Sequence, residues 1–292
     1  MSESIGLIER AAALLREREA RDVERPPPVA LAKPESNEPE LILDPVRLAR
    51  FGIALPSERR SRVVEEFRLV KRNLITLWSQ EGRAGERRGR TIMVTSARPA
   101  EGKTFVAINL ALAFAAEADG EALLIDADTE HPMLPLLSDV AMDRGIVDYL
   151  SGQRDLADVS LRTSLPKLTV IPCGSGGPHV PELFSGKRML ALLSQLNDRS
   201  RDRVTIIDTP PCLVTSEAAA LAPHVSQVVV VVEAHRTQYS EIESCLSLLS
   251  GCANISLLLN KSDASPNSYF SEYGYYYYYG KKEDESPADV RS

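Results

Sequence analysis

Nowhere in its 292 residues does the chain gather the ~20 consecutive apolar residues that a membrane-spanning helix needs. Its opening stretch, MSESIGLIERAAALLRERE, carries charges where a secretory signal would need an apolar centre, so the expectation is a cytoplasmic protein. Cysteine is scarce as well. Cys173, Cys212, Cys245 and Cys252 have no CxxC or Cys/His metal spacing, and each lies in or beside an apolar run, which predicts reduced, buried thiols acting as small hydrophobes. An excess of positive charge is also missing. The formal net charge is −7, which gives no support for nucleic-acid binding. Outside one segment even tyrosine is sparse, because seven of the nine lie between Tyr269 and Tyr279, six of them within SEYGYYYYYGKKEDE. The remainder has the balance of an ordinary soluble protein, 43% hydrophobic and 26% charged, and is long enough for one large α/β domain or two small ones.

Residues 1–20 set Ile5, Ile8, Ala12 and Leu15 at helical spacing, with Glu and Arg between them. An amphipathic helix is expected there, docking on a partner or a membrane surface or packing on its own domain. Proline and polar residues pile up over 21–45, which reads as a flexible linker. The folded domain is expected over 46–264 and a flexible tyrosine-rich tail over 265–292. The domain begins with a helical stretch whose Val63, Phe67, Val70, Leu74 and Leu77 share a face. Beyond Arg90, the runs TIMVTS, ALLIDAD, LTVIPCG, RVTIIDTPP, QVVVVVEA and NISLLLNK alternate with helical segments. Runs apolar on both faces point to a mostly parallel sheet covered on both sides, the doubly wound α/β class. In such sheets, ligands bind beyond the carboxyl ends of the strands.

The chemistry-bearing residues fall at those ends. After TIMVTS, the loop ARPAE runs into Gly102-Lys103-Thr104 at the head of an apolar helix. The stretch resembles a phosphate-binding P-loop, where backbone N–H groups and a helix N-terminus surround the phosphates. Ala97 stands where that pattern has its first glycine. Asp126 and Asp128 end a second run and Asp208 ends another. Three carboxylates facing one phosphate loop repel each other unless a cation lies among them, and Mg²⁺ accepts carboxylate, hydroxyl, water and phosphate oxygens. Asn260-Lys261-Ser262-Asp263 looks like a base-reading NKxD, which leaves two options for Asn260: contact with the nucleobase, or a place in a solvated strand-end loop.

Taken together, TSARPAEGKT, LLIDADTEHP, VTIIDTPP and the tyrosine tail resemble the bacterial tyrosine kinases that regulate capsule and exopolysaccharide production. GIVDYLSG and VIPCGSGGPHVPELF extend the resemblance over roughly 55–280, and ESIGLIERAAALLRE is similar to the branch linked to exosortase-type systems. The resemblance implies a P-loop ATPase fold of the deviant kind shared with Min and partition ATPases, with ATP and Mg²⁺ as cofactors. It implies nucleotide contacts from Glu101, Gly102, Lys103, Thr104 and Phe105, with Lys103 on the β- and γ-phosphates. Thr104, Asp128 and Asp208 would hold the metal, and Asp126 would activate the tyrosine hydroxyl. Glu65, Arg68 and Lys71 match a helical E-x-x-R-x-x-R element at the subunit interface of a homo-oligomeric ring. The implied partners are a membrane chain-length regulator of polysaccharide export as activator, which would hold the kinase at the inner face of the membrane, and a tyrosine phosphatase. The sequence departs from the pattern at Ala100, where glycine is usual, at Glu130 and His131, where basic residues are common, and at Lys71, where arginine is usual.

The tail suits that chemistry. The ~15 residues from Asn260 to Tyr275 can span about 50 Å, enough to reach their own site or a neighbour's. Tyr273 and Tyr275, Tyr276, Tyr277, Tyr278 and Tyr279 are then the acceptors, and five phosphates would add roughly −8 to −10 to the charge and loosen a ring. Two readings compete. A partition-type ATPase, cycling on and off a surface, would use a second lysine early in its P-loop, where TSARPAEGK offers only Arg98. An assembly protein would use the uncharged tyrosine run as a sticky β-prone tail.

Overall fold

In the computed structural model, which describes residues 40–57, 61–81, 90–118, 120–138, 143–174, 180–199 and 203–262, the apolar runs become strands. They are β1 (Thr91–Ser96), β2 (Glu121–Asp126), β4 (Leu168–Ile171), β5 (Arg203–Asp208), β6 (Gln227–Glu233) and β7 (Ile255–Asn260). The sheet order is β3-β4-β2-β5-β1-β6-β7, and every pair is parallel except that of the short β3 (Leu161–Arg162) with β4. That two-residue strand lacks an apolar run of its own, so periodicity gives it no signal.

Alternate residues of each strand serve two separate cores. Met93, Leu123, Ile125, Ile207, Val228 and Val230 pack on one side, and Ile92, Val94, Leu124, Ile206, Val229 and Val231 on the other. Both faces are thus dry, which is why the runs show no polar alternation. The first core takes in helices α7 (Val180–Phe184), α8 (Lys187–Arg199), α9 (Glu217–Leu221) and α10 (Tyr239–Leu248), the second α2 (Arg62–Glu81) and α3 (Lys103–Ala115). Short helices α4 (Leu134–Leu137), α5 (Ile146–Leu150) and α6 (Leu156–Val159) fill the connections after β2. Strand β7 is the edge and leaves Leu257 and Leu259 exposed.

Two features differ from the sequence reading. The chain joins the fold before the end of the expected linker, because Leu41 forms a parallel bridge with Thr163 and the Leu43 N–H donates to Ser164 Oγ at 3.1 Å. Leu41 and Leu43 are buried, and Asp44 then caps α1 (Pro45–Arg50) by accepting from the Val46 N–H at 2.9 Å. Helix α2 packs Val63, Phe67, Val70 and Leu74 of its expected face against the second core, but not Leu77, and the buried face also takes in residues not expected there. Val64, Phe67, Lys71 and Leu74 point inward, with Trp78 stacked on Phe114, while Leu77 is exposed. Lys71 turns in because Nζ donates to Ala113 O (2.9 Å) and pairs with Glu117 (2.7 Å) at the C-terminal end of α3, where carbonyls lack helical partners. The expected helix at 1–20, the linker through 39, and the tail with Tyr273 and Tyr275–Tyr279 lie outside the described residues. Among the described residues no helix is long and apolar enough to cross a membrane.

Candidate active site

The sheet brings the predicted residues to one edge. Strands β2 and β5 are in register so that Asp126 faces Asp208, and Val94, two residues before the end of β1, also pairs with Asp208. The phosphate loop leaves β1 after Ser96 and enters α3 at Lys103. It turns through two left-handed residues, Ala100 (φ 66°) and Gly102 (φ 97°). A Cβ on Gly102 would come within 2.1 Å of the Asn260 amide nitrogen, so glycine is required there for space as well as conformation. Ala97 is buried in the core rather than turned to the loop's cavity, which accounts for an apolar residue at the start of the motif.

Lys103 is nearly buried and pairs with Asp128 Oδ2. The other Asp128 oxygen accepts from the backbone N–H groups of Glu130 (3.2 Å) and His131 (3.1 Å), whose side chains are exposed. Asp126 is fully buried and accepts from the N–H of Asp128 (3.1 Å) and of Met133 (2.7 Å). Burial, and then the charge of Asp208, push its carboxyl well above the usual range despite those bonds. Asp208 differs. It is wholly buried, and neither carboxylate oxygen has a hydrogen bond of good geometry. Burial raises its pKa to about 6, while Lys103 and the neighbouring Thr104 hydroxyl act in the opposite sense without completing it.

An unpartnered buried carboxylate beside a hydroxyl is a donor set for a hard cation. Mg²⁺ retains waters and needs only one or two protein carboxylates, so Asp208 and Thr104 fit it. Among the described residues no three His, Cys, Asp or Glu side chains form an all-protein metal cage. Asp128, expected as a second ligand, has both oxygens engaged in this state.

The other expected contacts are placed as follows. Asn260 donates from Nδ2 to Glu101 O at 2.8 Å, so its amide braces the phosphate loop. Phe105 turns toward α2 and meets Phe67 edge to face, with ring centroids 5.7 Å apart. Glu101 is buried and accepts from the Arg98 N–H at 2.8 Å. Glu65 and Arg68 pair with each other on the exposed side of α2, whereas Lys71 is committed inside its own subunit.

Two bracing residues, Thr237 and Glu241, escaped the sequence reading, and Lys261, met there only as part of NKxD, braces the loop with them. The Thr237 hydroxyl bonds Glu101, Glu241 pairs with Arg98, and Lys261 Nζ donates to Ala100 O at 2.7 Å while lying 3.3 Å from Glu233. A signal was present, since Thr237 and Glu241 follow QVVVVVEA just beyond its carboxyl end, where ligand-facing residues belong.

No protein-family model matches the chain. A tyrosine-protein kinase CpsD of Streptococcus agalactiae is 29% identical over 242 residues, 81% of this chain and 98% of that protein. A CpsD of Streptococcus pneumoniae serotype 4 is 33% identical over 183 residues, 62% of this chain and 79% of that protein. Among solved structures, the kinase domain of the Escherichia coli tyrosine kinase ETK superposes with a TM-score of 0.55 at 31% identity. The match covers 61% of this chain and 70% of that domain.

Proposed function

The chain belongs to the bacterial tyrosine-protein kinase family, and from that premise we propose that it transfers the γ-phosphoryl group of ATP to its own C-terminal tyrosines. The observation that carries the reading is Asp208, a buried carboxylate without a hydrogen bond of good geometry, with only the Thr104 hydroxyl and the Lys103 charge near it. Such a group is costly until a cation arrives. Asp208 and Thr104 would hold Mg²⁺ there, and the ion would supply charge neutralisation for the phosphates.

The chain's own residues do the rest. The N–H groups of the loop and of the first turn of α3 receive the phosphates, and Lys103 exchanges Asp128 for their β- and γ-oxygens. Asp128, released from Lys103, would become a second carboxylate beside Asp208 for holding the cation. Asp126, whose carboxyl lies well above the usual range, suits a base for a phenol whose own pKa is near 10. Its two backbone hydrogen bonds use only part of a carboxylate's acceptor capacity.

In this reading a homo-oligomeric ring forms through Glu65 and Arg68, and tails are phosphorylated in trans. A membrane chain-length regulator activates the kinase, a tyrosine phosphatase resets it, and the output is control of exopolysaccharide or capsule synthesis and export. A partition-type cycle is disfavoured because Arg98 is tied to Glu241 in its own subunit and is not free to reach across a dimer.

The test is to incubate the full chain with ATP and Mg²⁺, with and without a regulator's cytoplasmic segment, and map phosphate by mass spectrometry. Phosphate is expected on Tyr273 and Tyr275–Tyr279 and lost in Lys103→Met. Mixing Lys103→Met with an active chain truncated after Asn267 separates trans from cis, since only trans transfer labels the inactive chain. Absence of phosphotyrosine even with the segment present overturns the reading.

A further inference from the structure

Two of the four buried thiols are not merely packed. Cys212 Sγ lies 2.9 Å from Cys245 Sγ, although the residues are 33 positions apart in sequence. Cys212 and Cys245 are not joined by a disulfide, and such a bond of about 2.05 Å requires the two sulfurs to approach by less than 1 Å. Each partner is attached to the phosphate loop. The Cys212 N–H donates to Ser96 O at 2.9 Å, where the loop leaves β1. Cys245 is the one fully buried side chain of α10, the helix whose first turn carries Glu241 against Arg98 and which follows Thr237 against Glu101. The thiol contact is therefore the anchor of the helix that braces the loop.

We propose that Cys212 and Cys245 form an oxidisable dithiol whose disulfide displaces the phosphate loop and weakens nucleotide binding. The hydrogen bond from Cys212 favours the Cys245 thiolate and holds the Cys212 proton in place, which assigns the nucleophile. With a hydroperoxide as oxidant, the Cys245 thiolate attacks the O–O bond, forming a sulfenic acid and releasing hydroxide or alkoxide. Cys212 sulfur then displaces the sulfenic oxygen, which leaves as water with the thiol proton. Each disulfide removes two electrons from the thiols and consumes one peroxide, and two equivalents of a thiol reductant restore the pair. A small oxidant has a short path, because Leu213 and Val214, next to Cys212, are exposed. Closing the sulfur gap draws α10 toward the Cys212 turn, and with it the groups that hold Arg98 and Glu101.

The proposal requires only that the loop binds nucleotide, whichever group is phosphorylated. The full chain, reduced and freed of reductant, is treated with a small excess of hydrogen peroxide, alkylated, and digested without reduction. A Cys252→Ser background is used because Cys245 and Cys252 share a tryptic peptide. The expected results are a linked peptide joining Cys212 to Cys245 and an affinity for a fluorescent ADP analogue about tenfold lower, the scale of one lost hydrogen bond, both reversed by dithiothreitol. Cys245→Ser makes the affinity insensitive to peroxide, with Cys212→Ala as a second variant should the first fail to fold, while Cys173→Ser remains sensitive. Alkylation of both cysteines after peroxide overturns the site. A linked peptide with unchanged ADP affinity overturns its control of the loop. Both readouts are free of catalysis, so neither result can be confused with a failure of the kinase reading.

Discussion

Asp128 follows central strand β2 and Asp208 ends central strand β5, and both are fully buried, yet their surroundings are opposite. Asp128 is saturated by an ammonium and two backbone N–H groups, whereas Asp208 has no hydrogen-bond partner of good geometry. A satisfied buried carboxylate stabilises the fold that holds it, and an unsatisfied one stabilises only a complex. The contrast separates a residue that contributes in the unliganded state from one that waits for a ligand. It also predicts opposite signs for mutations that sequence proximity alone would treat alike.

Lys103→Met should have the largest effect. Loss of one preorganised cation at the phosphates costs about 10³-fold in phosphotyrosine formation, read by mass spectrometry under saturating ATP. It also strands Asp128 Oδ2 and should destabilise the fold by about 3 kcal/mol in urea titration. A variant that loses activity at unchanged stability would break the view that Lys103 and Asp128 hold each other in the resting state.

Asp208→Asn should lower activity by about 10²-fold while making the unliganded protein more stable at pH 8. The pH dependence follows from its raised pKa. A carboxyl that rises from 3.8 to about 6 on folding contributes stability that is complete below the lower value and is lost as pH climbs through the higher. The loss corresponds to a few kcal/mol, on the order of 3. Asp208→Asn removes that loss, so the two urea-melting curves should agree near pH 4 and separate between pH 4 and 6. Saturating Mg²⁺ and nucleotide should flatten the wild-type curve, because they stabilise ionised Asp208. Parallel curves at all pH values would mean that Asp208 is already charged and compensated without ligand.

The bracing of the loop permits a smaller test. Asn260→Ala removes a bond to Glu101 O and should weaken nucleotide binding about tenfold, measured by calorimetry, equally for ATP and GTP. A base reader would instead show a loss confined to one nucleotide.

These contrasts also mark how far the sequence could be read. The six apolar runs, their parallel pairing and the placing of Lys103, Asp126, Asp128 and Asp208 at one edge all follow from period and strand ends, whereas the order of the strands in the sheet does not. Which of those carboxylates is satisfied does not, because it depends on backbone N–H groups of Glu130, His131 and Met133 that any residue could supply. The inward turn of Lys71 was equally hidden, since a lysine on an amphipathic helix is ordinarily solvated and only the C-terminus of α3 gives it a partner. Leu41 was obscured by the proline-rich composition around it, although one bridge to Thr163 suffices to bury it.

The smallest predicted effect is at Ala100. Its φ of 66° places an L residue where glycine is at ease, at a cost of about 1–2 kcal/mol. Ala100→Gly removes that strain but enlarges the unfolded ensemble by roughly 0.5–1 kcal/mol. The balance should be a gain of about 0.5 kcal/mol, seen as a small rise in the urea midpoint at constant slope. Lys261 donates to the Ala100 carbonyl, which glycine retains, so loop position and ADP affinity should be unchanged. If Ala100→Gly instead tightens ADP binding tenfold while stability falls, the alanine is holding the loop away from its phosphate-binding form. The strained residue would then belong with Asp208 as a feature relaxed only by ligand, rather than with Asp128 as part of the resting fold.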